Sequence, residues 1–141
     1  MRFMVQVRAT GDTEAGVMPT TELMQAMMNF NEEMVKAGVM KSGDGMHPTS
    51  HNAARITFDG SGPGLVTDGP FAETKELIAG FWIIETASFE EAVNWMRRAP
   101  MAPGDVLEIR QLFDAADFGE ALTPDLREQW ERLDAQEEGR A

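Results

Sequence analysis

Gly80-Phe81-Trp82-Ile83-Ile84-Glu85-Thr86, running into Ala87-Ser88-Phe89-Glu90-Glu91-Ala92-Val93-Asn94-Trp95-Met96, decides the fold. The first seven residues are apolar on both faces until Glu85, the pattern of a strand in the interior of a sheet. Ser88 and Glu91 then make a capping box. Phe89, Ala92, Val93 and Met96 recur at helical spacing and form a buried stripe, stopped before Pro100. A buried strand feeding an amphipathic helix points to a layered α+β domain.

Working outward, residues 2–8 alternate, with Phe3, Val5 and Val7 on one face and Met4, Gln6 and Arg8 on the other, as in a half-buried strand. Gly11 to Pro19 reads as a loop, and Thr20 or Thr21 is placed to cap a helix whose first turn carries Glu22. On that helix Leu23, Met27, Phe30 and Met34 form an apolar stripe, widened by Met24, Met28 and Val35 and ended at Gly38. Its four methionines fit adaptable core packing better than a metal or cofactor site. Val39 to Lys41 forms a short strand that runs into Gly43-Asp44-Gly45. Residues 54–58 alternate again, and Gly60-Ser61-Gly62-Pro63-Gly64 is a turn. No Gly-Lys-Ser/Thr follows these glycines, so they are not a phosphate loop. A last strand, 105–113, sets Leu107, Ile109 and Gln111 against Glu108 and Arg110. Thr123-Pro124 then opens a helix with a narrow seam of Leu126, Trp130 and Leu133. The order predicts a ferredoxin-like βαββαβ domain over residues 1–113, with both helices on one face of an antiparallel sheet. Residues 114–141 form an acidic C-terminal helical extension.

The 141 residues are 43% apolar, enough to fill the core of one domain. No apolar run approaches the ~18–20 residues of a membrane span. There is no cysteine, which excludes disulfides, thiolate metal sites and cysteine nucleophiles. The expected compartment is the cytoplasm. A net charge of −12 argues against nucleic acid, which is bound largely through Lys and Arg. Half of that charge lies in residues 114–141, as a solvated acidic helix or as a surface for a basic partner.

A sheet covered on one face leaves the other bare. With Phe3, Val5, Val7, Ile56, Phe58, Leu107 and Ile109 against the helices, the open face carries Met4, Gln6, Arg8, Arg55, Thr57, Glu108 and Arg110. Either Trp82 and Ile84 or Phe81 and Ile83 join it. That face is too apolar to leave wet and too polar to be plain core, and covering it with a second copy resolves the conflict in a two-fold homodimer. Polar residues held between two sheets would then line a small-molecule cavity. Alternatively Arg8, Arg55, Glu108 and Arg110 are solvent-facing and form weak ion pairs.

Leu65-Val66-Thr67-Asp68-Gly69-Pro70-Phe71-Ala72-Glu73-Thr74-Lys75-Glu76 resembles the signature of the DGPF branch of the YCII-related proteins. The resemblance extends over residues 1–113, through Gly38, the Gly-Asp-Gly-Met-His-Pro stretch and Gly80-Phe81-Trp82. It implies a dimeric α+β barrel of bacterial origin, with genes often near extracytoplasmic sigma factors. It also implies relatives that include isomerase-like and dehydrochlorinase-like enzymes. The shorter YCII-type members resemble enzymes with a histidine on the first helix that partners an aspartate. Here that helix reads Leu23-Met24-Gln25-Ala26-Met27-Met28-Asn29-Phe30-Asn31, without histidine, so the dyad does not carry over.

Asp68-Gly69-Pro70 has turn chemistry, since Asp accepts backbone N–H groups, Gly permits positive φ and Pro fixes the exit. Asp68 and Lys75 also suit a carboxylate–ammonium pair at a pocket mouth, where a desolvated carboxylate acts as general base. His47 and His51 are the only histidines. Pro48 speaks against the helix that zinc ligation at this spacing needs, so neither metal nor cofactor is expected. His47 instead suits a proton shuttle with Asp68. Two readings follow. In one, Asp68 or His47 moves a proton on a small anionic metabolite bound near Arg8, Arg55, Lys75, Trp82, Glu108 and Arg110, in an isomerisation or elimination. In the other, the chain is a non-catalytic ligand-binding or interaction module.

Overall fold

The computed structural model describes residues 1–140. They form two compact units, Met1–Gln111 and a second from Leu112 onward. The first contains β1 (Arg2–Arg8), α1 (Gly11–Glu14), α2 (Thr21–Lys36), β2 (Met40–Gly45), β3 (Ala54–Thr57), β4 (Leu65–Asp68), β5 (Ile78–Glu85), α3 (Phe89–Met96) and β6 (Leu107–Gln111). A four-stranded antiparallel sheet runs β2-β5-β1-β6, and β3 pairs with β4 in a separate two-stranded hairpin. With the hairpin set aside, this is the ferredoxin-like order, and β5 is interior as its two apolar faces require.

Register decides which side chains meet. Phe3 lies opposite Ile84, Val5 opposite Trp82 and Ile109, and Val7 opposite Leu107. With Phe30 and Met34 of α2 and Ala92 and Met96 of α3, these residues form one core beneath both helices. Phe3, Val5, Met34 and Ile84 are fully buried. Each such side chain contributes about 1.5–3 kcal/mol of apolar burial. Helix starts follow the caps: Thr20 accepts from Leu23 N at 3.2 Å and Ser88 from Glu91 N at 3.1 Å. The Glu91 carboxylate reaches the Ala87 N–H at 3.0 Å rather than that of Ser88, a displaced version of the expected box.

Four expectations need correction. Gly11 to Pro19 is not all loop, because Thr10 and Thr13 cap each other and close the single turn α1. The second strand does not stop at Lys41 but continues through Gly43-Asp44-Gly45. Gly43 serves close strand packing, since a Cβ there would sit 2.9 Å from Trp82 Cδ1. Residues 54–58 do not join the main sheet, so Ile56 and Phe58 do not face the helices and Arg55 and Thr57 are not on its open face. They belong to the hairpin, whose eight strand residues are all exposed. Met24, Met28 and Val35 do not widen the buried stripe of α2 but stay at the surface.

The hairpin is held by its own turn. Asp59 accepts from both the hydroxyl and the N–H of Ser61, and these bonds keep its carboxyl below the ordinary aspartate value. Ile56 faces Val66 across the pair.

In the second unit, Thr123 caps α4 (Pro124–Glu138), with Pro124 at its first position. Phe118 packs between Phe113 and Trp130, at centroid distances of 5.0 and 5.4 Å. Among the described residues no helix is long and apolar enough to cross a membrane.

Candidate functional site

Where β2 meets β5, Gly45 lies opposite Gly80, and Gly43 lies opposite Trp82. Three glycines at one end of the sheet leave unfilled volume beneath α2. The result is a recess of about 210 Å³ floored by Val7, Gly80 and Trp82 and walled by Met27 and Asn31, with the strand backbone at Asp44 along its rim. The Trp82 indole N–H donates to Asn31 Oδ1 at 2.9 Å, which fixes both side chains. That bond leaves the Asn31 amide nitrogen without a partner among the described residues. An apolar hollow with a few convergent polar groups is the usual form of a small-molecule site.

A second recess adjoins the first and shares Gly45 and Ala79 with it. Its walls are Thr13, the Val17-Met18-Pro19 connection, and Met46, His47 and Pro48. His47 is exposed and stands against the His51 ring at a centroid distance of 4.2 Å.

A hydrogen-bond chain ties the His47 loop to the signature. The Glu14 carboxylate accepts from Thr49 N at 3.2 Å and from Thr49 Oγ1 at 2.6 Å. Thr49 Oγ1 in turn accepts from Phe71 N at 2.9 Å. Gly69 N donates to Ala53 O at 2.8 Å. A Cβ on Gly69 would come within 2.0 Å of the Thr49 carbonyl oxygen, so only glycine lets the two loops approach this closely. The Arg55 guanidinium stacks 4.0 Å over the Phe71 ring, joining hairpin to signature.

The anticipated site residues separate into groups. Asp68 ends β4 opposite Ala54; it is exposed, and no ion pair joins it to Lys75 among the described residues. Its loop neighbours that of His47 through Gly69 and Thr49. Arg8, Glu108 and Lys75 cluster, since one Arg8 Nη donates to the Lys75 carbonyl and the other to Glu108 Oε1 at 2.8 Å. Arg110 lies opposite Met4 on the open face and is exposed. Trp82 points to the helices, so Phe81 and Ile83 are the residues that join the open face.

Sequence reasoning missed Asn31, Glu14 and Thr49. One signal for Asn31 was present: it is a polar residue four positions after Met27, on the stripe that otherwise packs inward.

A family model described as the YCII-related domain matches residues 1–116. The chain belongs to the YCII-related family. An uncharacterized protein, R00369, of Rhizobium meliloti (strain 1021) is 36% identical to this YCII-related chain over 75 residues. The match covers 53% of the chain and 59% of that relative, so the chain spans less than two thirds of its length. Among solved structures, a similar one is 5-chloro-2-hydroxyhydroquinone dehydrochlorinase from Burkholderia phenoliruptrix AC1100, in complex with 2,5-dihydroxybenzoquinone. It is 15% identical, with a TM-score of 0.41, covering 81% of the chain and 96% of that protein.

Proposed function

We propose that this YCII-related chain binds a small organic molecule in the two adjoining recesses and transfers a proton on it, with His47 as the proton carrier. The observation that carries this reading is the adjoining pair of hollows, one bordered by Asn31 and the other by His47, with shared walls at Gly45 and Ala79. A neutral imidazole carries one N–H donor and one acceptor nitrogen, so it suits proton transfer in either direction. The Asn31 amide nitrogen is available to stabilise an oxyanion formed next to the reacting carbon. Isomerisation or elimination needs little more than these two actions. In this reading Asp68 ends the second strand of the hairpin at its base, while Gly69 and Thr49 set the position of the His47 loop.

The same reading includes a homodimer through the open face of the sheet. Met4, Phe81 and Ile83 lie there beside Gln6, Glu108 and Arg110, a mixture that supports burial against a second copy. Phe81→Glu is expected to give a monomer in analytical ultracentrifugation. A Phe81→Glu chain that sediments as the wild type does would remove this part.

To test the site, small enolisable carboxylic acids are titrated while the His47 ring signals are followed by NMR. A saturable shift in the wild type that Asn31→Leu weakens is the expected result. Shifts that track only ionic strength, or that are indifferent to Asn31→Leu, would contradict it.

A further inference from the structure

A third recess, of about 290 Å³, opens on the far side of the Thr10–Thr13 pair and is lined by Arg8, Ala9, Thr10, Lys75, Gly104 and Val106. Thr10 N donates to Thr13 Oγ1 at 2.8 Å and Thr13 N to Thr10 Oγ1 at 3.2 Å. Thr13 faces the His47 recess and Thr10 this one, so the capping box is the wall between them.

Arg8 is held in place, donating to the Lys75 carbonyl and to Glu108 Oε1. Its Nε–H lies out of contact with solvent and has no acceptor among the described residues. A buried donor left unpaired is costly, and an acceptor that reaches it as the Arg8 side chain shifts relieves that cost. Lys75 Nζ also has no carboxylate partner among the described residues. Glu108 pairs with Arg8, so Lys75 is the lining cation without an ion pair among the described residues. Ala9 and Val106 supply apolar wall, and nothing stands within 4 Å of where a Gly104 side chain would be.

We propose that this recess binds a small monoanionic carboxylate through Arg8 and Lys75. A carboxylate matches the guanidinium N–H groups that Lys75 and Glu108 leave unused, together with the Lys75 ammonium. A phosphate dianion would bring a second negative charge close to the Glu108 carboxylate. The proposal stands on this cluster alone, whether or not His47 moves a proton next door.

The test follows the Arg8 Nε–H signal of the full chain by NMR while sodium acetate or benzoate is added, against sodium chloride at matched ionic strength. Inorganic phosphate is titrated in parallel. A saturable shift with the carboxylates is expected, weakened about tenfold by Lys75→Met, the size of a lost charge-assisted contact. Lys75 is exposed on a turn, so that variant keeps the fold. A response no greater than that of chloride would overturn the site. Unchanged affinity in Lys75→Met would overturn the role of Lys75, and tighter binding of phosphate than of acetate would overturn the choice of a monoanion.

Discussion

The four-stranded sheet and the β3–β4 hairpin are built from similar alternating residues and end in opposite states. In the sheet, Phe3, Val5 and Ile84 are fully buried beneath two helices. In the hairpin, Ile56, Val66 and Phe58 are equally apolar, yet Phe58 is 77% and Val66 64% exposed. Alternation makes a strand; only a covering layer makes a core. An isolated two-stranded hairpin is marginal in water. This one is anchored at its base by the Arg55–Phe71 stack and the Gly69–Ala53 bond, and capped at its tip by the Asp59 turn. The sheet carries the stability, while the signature, strung along the hairpin and the turn after it, fixes the loop that carries His47.

That division predicts a graded series of effects. Phe3→Ala, in the middle of the core, is expected to cost about 3–5 kcal/mol in urea unfolding. A loss below about 1 kcal/mol would mean that the sheet is not where stability resides.

Gly69→Ala comes next. Its methyl group collides with the Thr49 carbonyl, and the expected cost is about 1–3 kcal/mol, the range of overpacking. Faster hydrogen exchange at Phe71 and Gly69, with β1 and β5 unchanged, would mark the damage as local. Equal acceleration in both regions would dissolve the distinction.

Phe58→Ser, at the hairpin surface, should stay within about 0.5 kcal/mol of the wild type. A larger loss would reveal a surface that covers Phe58 in solution.

Much of the fold was legible in sequence because its signals were local. The apolar run at 80–84 marked an interior strand, Ser88 marked the start of α3, and Thr123-Pro124 marked that of α4. What escaped was non-local. Gly43 and Gly45 look like turn residues until Trp82 and Gly80 are seen opposite them. Residues 54–58 alternate as any strand does, and nothing in that pattern says which partner they take. Leu65–Asp68 pairs with them, and that pairing removed Arg55 from the sheet. The candidate site was harder still. His47 was visible as a rare residue type, but Glu14 and Thr49 matter only through bonds spanning 35 residues. Asn31 matters only because the Trp82 indole, 51 residues on, reaches its side chain.

The most direct test of the proposed chemistry is deuterium incorporation from D2O into small enolisable acids, followed by NMR with wild type and His47→Ala. The wild type is expected to catalyse exchange. His47→Ala is expected to lose about 10²–10⁴-fold in rate, the usual contribution of a general acid–base group. Its unfolding curve should be unaltered, because His47 is exposed and outside the core. Exchange at the same rate in both proteins would contradict the assignment of His47 as the proton carrier.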